Sequence, residues 1–279
     1  MQQRDAFLNV IYDRAKQDDK VMLLSADFGA PALDRFRSDL PKQFVHCGIS
    51  EQNMVNVAVG LSLCNKKVYI YAMSPFFLRC LEQLKLAAMH KSNITVVSVG
   101  AGLSYAGAGP THYATEDIAC FRTLVGTDLY TASTANLAAA IARKTLDSWK
   151  MNVVRLERGE LPELYPENVN ISDGYHFHYD SIQSPYVTCG YLVHYLKQRG
   201  HPVVDVFRIK PIHPMLVAEL DRYDSVYTVE EQYKDGGFGS AIVESLSDYG
   251  KRVRVFRRAL QERPIYENGT RDELLQSAL

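Results

Sequence analysis

Two successive α/β domains, each a largely parallel sheet flanked by helices, are what this 279-residue sequence predicts. Three observations carry the prediction. Short β-branched runs alternate with stretches whose apolar residues recur at three-to-four spacing, and strand alternating with helix implies parallel sheets covered on both faces. The alternation stops between Gly159 and Pro185 and then resumes. With 47% hydrophobic and 23% charged residues, the chain has apolar surface for two cores and no compositional sign of disorder.

The elements follow in order. Ala6–Lys16 has helical spacing, and Val21–Leu24 reads as a buried strand. The apolar pair Phe44-Val45 leads through Gly48 into a helix over Glu51–Cys64. Val68–Tyr71, a helix over Phe77–Lys91, Ile94–Val99, a helix over Ala135–Asp147 and Met151–Leu156 complete the first unit, placed at residues 1–165. Next, Leu161-Pro162-Glu163-Leu164-Tyr165-Pro166, Asp173-Gly174 and the pair His176/His178 break any periodicity. Residues 166–185 are therefore expected to connect the two units. The second unit, 186–279, holds helices over Tyr191–Gln198, Ser240–Tyr249 and Arg271–Ala278 and strands over Val203–Phe207, Val226–Val229 and Val253–Phe256.

Charge and cysteine content exclude several classes. The 31 Lys+Arg against 32 Asp+Glu leave a formal net charge of -1, so no bulk field draws nucleic acid or an anionic membrane. The five cysteines form no Cys-x-x-Cys pair and lie in apolar stretches, which suits reduced core thiols. No apolar run reaches membrane-spanning length, and the amino terminus lacks the pattern of a leader peptide. A cytoplasmic protein is expected.

Ligands of open α/β sheets sit beyond the carboxyl ends of the strands. There the sequence places Asp27, Gly48-Ile49-Ser50-Glu51, Ser74-Pro75-Phe76-Phe77, the loop from Gly100 to Gly109-Pro110-Thr111-His112, and Arg158-Gly159. Singly, each has an ordinary explanation. Glu51 in a first helical turn complements the macrodipole, Asp27 caps a turn, and Phe76 and Phe77 fill a core. His112 in a Gly/Pro-rich loop is either an exposed accident or a polar catalytic group. Arg158 is either a solvated arginine or a planar fork for carboxylate or phosphate. Neither Gly-x-Gly-x-x-Gly nor Gly-Lys-Ser/Thr occurs, which argues against a nucleotide site.

Together, the series Arg4, Asp27, Gly48-Ile49-Ser50-Glu51-Gln52, Phe76, Gly109-Pro110-Thr111-His112 and Arg158 resembles the carboxyl-terminal half of transketolase and of deoxyxylulose-phosphate synthase. Both are thiamine diphosphate enzymes. Asp205-Val206-Phe207-Arg208-Ile209-Lys210-Pro211, Val229-Glu230-Glu231 and Gly236-Gly237-Phe238-Gly239 continue the resemblance, which covers nearly the whole chain. It implies a pyrimidine-binding domain followed by a transketolase C-terminal domain. It also implies that Glu51 hydrogen-bonds the aminopyrimidine and sets its tautomer, provided burial against apolar neighbours lets the carboxyl share its proton. Phe76 would stack on the pyrimidine, with Asp27 and Ile49 beside the cofactor. His112 would hydrogen-bond the donor's carbonyl or hydroxyl, and Arg4 and Arg158 would grip a sugar phosphate. Arg79 matches an arginine of the synthase branch.

The departures matter equally. Ala108 stands where the family loop carries an acid, Gly100 where transketolase has a histidine, and Ala101 where the synthase has an arginine. A pocket so stripped suits a deoxy, branched or otherwise modified sugar. The Gly-Asp-Gly motif that holds the diphosphate and Mg²⁺ in this family is absent from the sequence. The resemblance therefore implies a split enzyme, an α2β2 heterotetramer in which an N-terminal, diphosphate-binding subunit supplies that half of the site. The main expectation is a transketolase-type transferase active only with this partner. A synthase-like or 2-keto acid decarboxylating subunit, and a regulatory or scaffolding subunit, are the alternatives. Elsewhere, His176/His178 lack an evident third metal ligand, Glu230-Glu231 is expected at an interface or in solvent, and Gly236-Gly237-Phe238-Gly239 is expected to serve packing.

Overall fold

The computed structural model describes residues 1–26, 29–180 and 183–278. Its first half runs α1 (Gln3–Ala15), β1 (Val21–Ala26), α2 (Pro31–Asp39), β2 (Phe44–Gly48), α3 (Glu51–Leu63), β3 (Lys67–Met73), α4 (Ser74–Phe77), α5 (Leu81–Met89), β4 (Ile94–Val99), α6 (Asp117–Arg122), β5 (Asp128–Thr131), α7 (Ala135–Leu146) and β6 (Asn152–Leu156). The second half runs β7 (His176–Phe177), β8 (Tyr186–Thr188), α8 (Tyr191–Lys197), β9 (Val203–Asp205), β10 (Arg208–Lys210), α9 (Pro214–Leu220), β11 (Ser225–Tyr233), α10 (Phe238–Asp248), β12 (Arg254–Leu260) and α11 (Arg271–Ala278).

The strands form a seven-stranded sheet in the order β10-β5-β6-β4-β3-β1-β2 and a five-stranded sheet ordered β12-β11-β8-β9-β7. All pairings in the first are parallel except β10 against β5, and all in the second except β7 against β9. This is the α/β class the sequence predicts. Every residue of β1, β3, β4 and β6 is buried, because helices cover both faces of those strands. The chain's two halves share a core. One apolar cluster runs from Met54 and Val55 of α3 through Leu129 of β5 to Val204, Leu216 and Phe238.

Residues 166–185 do more than connect. They carry β7, whose His176 pairs with Asp205 of β9. β10, far along the second half, closes the edge of the first sheet: Lys210 Nζ donates to the carbonyl oxygens of Arg122 (2.7 Å) and Leu124 (2.5 Å).

Three expectations need correction. Glu230 and Glu231 do not face solvent: both are buried within β11, and Glu231 meets Gly102 of the first half. Glu230 Oε1 accepts from the Gly239 amide (2.9 Å) at the start of α10, and a Cβ at Gly237 or Gly239 would collide with the Glu230 carboxyl oxygens. The glycine run thus seats the chain's own carboxylate on a helix amino terminus. Second, the cysteines are all free but not all core, since Cys64 is exposed and Cys47 and Cys120 are half-buried. Third, the helix expected over Phe77–Lys91 is broken by a 3-10 turn at Leu78–Cys80, which separates α4 from α5.

Two buried polar groupings stand out, one within the first half and one between the halves. Arg155, 2% exposed near the end of β6, donates to both carboxyl oxygens of the fully buried Asp117 (2.7 and 3.1 Å) and to Thr131 Oγ1 (2.9 Å). Asp205 Oδ2 accepts from the hydroxyls of Ser133 (2.5 Å) and Tyr165 (2.8 Å), and His194 donates to the Ser133 carbonyl (2.8 Å). His176 and His178 pack against Tyr165 here, with ring centroids 5.5 and 5.3 Å from it, and no set of three or more metal-ligating groups occurs among the described residues. No helix among those residues is long and apolar enough to cross a membrane.

Candidate active site

The parallel sheet lines up the candidate residues along one rim. Ile49 and Glu51 follow β2, Phe76 and Arg79 follow β3, His112 ends the loop after β4, and Arg158 follows β6. In the sheet these strands run β6-β4-β3-β1-β2, so residues far apart in sequence emerge side by side. Asp27, the residue that follows β1 in the sequence, lies outside the described residues.

Glu51 is the first residue of α3 and is 7% exposed. The turn that delivers it depends on Gly48, whose φ of +69° lies in the left-handed region; the Ser50 amide then closes back on the Gly48 carbonyl at 2.8 Å. Glu51 lines a cavity of about 330 Å³ together with Ile49, Ser50, Gln52, Asn53, Asn56 and Arg79. Burial was expected against apolar neighbours, yet this lining is mostly polar. Gln52 donates to the Arg79 carbonyl (2.9 Å), which ties α3 to the turn after α4. Burial, reinforced by the Glu51 charge, pushes the Cys80 thiol of that turn up to about 12. Ile49 is 76% exposed at the mouth of the cavity.

A second group lies along the same rim. The half-buried Phe76 ring meets His112 edge-on, centroids 6.0 Å apart, and His112 lies 6.2 Å from the ring of Tyr105. The Arg158 guanidinium sits 4.7 Å over Tyr105. Arg4, in the first turn of α1, pairs with Asp5 at 2.9 Å and acts on Tyr71 and Tyr105, two phenols whose pKa burial raises. Thr111 Oγ1 lies 2.9 Å from His112 Nδ1. If that hydroxyl donates, the ring's proton sits on Nε2, where it can be offered to a ligand oxygen. Neither Phe76, His112 nor Arg158 lines the Glu51 cavity, so the two groups are adjacent stations rather than one pocket.

Tyr105 is the residue the sequence reading missed. It lies in a stretch of Gly, Ala and Ser with no periodicity to mark it, yet its ring contacts both His112 and Arg158. The signal was nearby: Gly100, at φ +92°, has no room for a Cβ, which would come within 2.3 Å of Tyr105 Cε2. The position where transketolase carries a histidine is thus closed to any side chain by Tyr105. Ala108 is exposed and leaves the rim beside His112 without a carboxylate.

Residues 1–163 match the family described as transketolase, pyrimidine binding domain, and residues 196–279 match transketolase, C-terminal domain. The chain is 29% identical over 272 residues to a subunit of the apulose-4-phosphate transketolase of Phocaeicola vulgatus, covering 90% of this chain and 86% of that protein. It is 27% identical over 255 residues to transketolase of Homo sapiens, of which it spans only 41%. Among solved structures, a split gene transketolase described as an inactive beta4 tetramer superposes with a TM-score of 0.86 at 25% identity, covering 100% of this chain and 93% of that one. A transketolase from Campylobacter jejuni shares the fold, with a TM-score of 0.78 at 16% identity over 44% of its length.

Proposed function

The chain belongs to the transketolase family, whose pyrimidine-binding and C-terminal domains it carries, and on that premise we propose that it is the pyrimidine-side subunit of a split, thiamine diphosphate-dependent transketolase. It is a transketolase-type subunit, and the family's dependence on thiamine comes with membership. The proposal adds a separate N-terminal subunit that holds the diphosphate and Mg²⁺, an α2β2 assembly working in the cytoplasm, and a sugar phosphate donor. It is supported by likeness to subunits of split enzymes: the Phocaeicola vulgatus subunit aligns with 90% of this chain, and the split gene transketolase superposes with a TM-score of 0.86. The division into units 1–165 and 186–279, joined by 166–185, is part of the same reading, supported by the two family matches.

The residues present suit one half of the cofactor. A buried glutamate lining a cavity suits an aminopyrimidine, and the half-buried Phe76 ring lies outside that cavity on the same rim. The diphosphate and its metal are assigned to the partner subunit in this reading. When bound, thiamine diphosphate supplies a carbon that takes up the electron pair released as the donor's carbon–carbon bond breaks. Glu51 holds and returns the proton shared with the pyrimidine nitrogen, from a carboxyl that water reaches poorly. His112 donates from Nε2 to the donor oxygen on which charge grows. Arg158 and Arg4 bind the phosphate end, with Tyr105 keeping the Arg158 plane in place. Phe76 walls off water between the two stations.

The observation that carries the reading is Glu51: an acid in a first helical turn, yet buried and lining a cavity. Its test is reconstitution with a transketolase N-terminal subunit. Ketol transfer between sugar phosphates is expected, lost by about 10²-fold or more in Glu51→Ala with assembly intact. Full activity of Glu51→Ala would favour a scaffolding role, and release of carbon dioxide from pyruvate in place of ketol transfer would favour a decarboxylating one.

A further inference from the structure

The last helix reaches back into the site through one arginine. Arg271, at the start of α11 and 12% exposed, donates from Nε to Glu231 Oε1 (2.7 Å), from Nη1 to Glu157 Oε2 (2.7 Å) and from Nη2 to the Ala101 carbonyl (3.2 Å). A second Nη2 bond to Glu231 makes that pair bidentate. Burial works against the charge on Arg271, but Glu157 and Glu231 outweigh it and raise its pKa. The guanidinium also lies 4.2 Å over Tyr191, whose amide donates to Glu157 Oε1 (3.0 Å).

The chain of bonds continues outward. Ser104 Oγ donates to Glu157 Oε2 (2.9 Å) and accepts the amide of Arg158 (2.8 Å). Ala101 and Ser104 begin the loop that carries Tyr105 and His112, and Arg158 stands at the end of β6 just before Gly159, whose φ is +88°. Backbone is shaped to admit the network: a Cβ on Gly102 would come within 2.3 Å of Glu231 Oε2, and one on Gly190 within 2.8 Å of Glu157 Oε1. A buried ion pair contributes little net stability and is often replaceable by apolar side chains, so fold stability alone gives no reason for one arginine to be shared between two carboxylates and a loop carbonyl. What the arrangement does fix is the geometry of two loops.

We propose that Arg271 is a positioning residue for donor binding: it clamps Glu157 and Ala101, and through Ser104 sets where Arg158, Tyr105 and His112 stand. The proposal rests on reading Arg158 and His112 as facing the donor. It makes the C-terminal domain part of substrate recognition without contact between that domain and substrate.

Two variants cut the network at different points. Arg271→Ala removes its centre, and Ser104→Ala removes its last link while leaving the buried charges paired. In the reconstituted complex, each is expected to raise KM for a phosphorylated ketose about tenfold with kcat within about threefold, as loss of one or two hydrogen bonds would. The same ketose without phosphate should feel less, and Arg271→Lys should recover part of the loss. On the isolated chain, amide hydrogen exchange should quicken about tenfold or more across 100–112 and at residue 158, while α3 stays as in the unaltered protein. Ser104→Ala with unchanged KM and unchanged exchange would overturn the proposal. So would an Arg271→Ala protein that loses kcat alone. If the unaltered complex shows no ketol transfer, the functional reading falls, and the exchange experiment still decides whether Arg271 holds the loops.

Discussion

Ala108 shows what a missing group can select. It is exposed on the loop that ends in His112, and its methyl offers no partner to a substrate hydroxyl. A pocket that does not hydrogen-bond a hydroxyl cannot strongly favour substrates that carry one. Ala108→Asp should therefore raise kcat/KM for an ordinary ketose phosphate such as xylulose 5-phosphate, relative to a deoxy or branched analogue, by about tenfold; if xylulose 5-phosphate is already the best donor of the unaltered complex, the idea fails. Glu51, Phe76, His112 and Arg158 stood out in the sequence because five loops agreed in type and order, not because any one was distinctive, and the strand order brings their loops to one rim. Tyr105 was illegible because its importance lies in a ring folded back over Gly100, a contact that no spacing rule encodes.

β9 ends on an acid that burial makes slow to give up its proton. Complete burial pushes Asp205 up to about 7, against the pull of the Ser133 and Tyr165 hydroxyls. The direction sets the pH dependence. Between about pH 4 and 7 the unfolded chain has released a proton that the folded chain still holds, so this residue's contribution to stability falls as pH rises and is flat above 7. Asp205→Asn removes that slope. Thermal melts at pH 5, 6, 7 and 8 should show the unaltered protein losing ground to the variant by at most about 1.4 kcal/mol per pH unit up to pH 7, and holding level beyond it. A constant difference across the series would refute the assignment. Glu230, raised by burial to about 7, acts in the same direction, while His178, lowered by burial to about 3, acts in the opposite one. The variant-minus-unaltered difference separates Asp205 from both. Elements of this kind divided sharply in legibility. Long β-branched strands such as β4 could be read with their ends, whereas β5, β8 and β10 are three or four residues long, too short for any pattern. α2 escaped notice because only Leu33 and Phe36 of its nine residues are buried.

For the molecule as a whole, the proposed division of labour makes a direct prediction about the cofactor. Calorimetry should find little binding of thiamine diphosphate to the isolated chain, and tight binding once a diphosphate-side subunit and Mg²⁺ are added. Saturable micromolar binding by the isolated chain would overturn it. The order of domains was legible in the sequence because turn residues cluster between Gly159 and Pro185. How closely the two units are joined was not, because the join is made by side chains such as Arg271 and Asp205, whose partners Glu157 and Ser133 lie far away in the sequence.

The three residues of β10 give that union a consequence in time. Because Arg208 and Lys210 complete the sheet begun at Val21, a ribosome must deliver the chain as far as Lys210 before the first sheet can close its β5 edge. Until then that edge is a row of open backbone groups on a nascent chain, a natural docking point for chaperones or for a neighbouring copy.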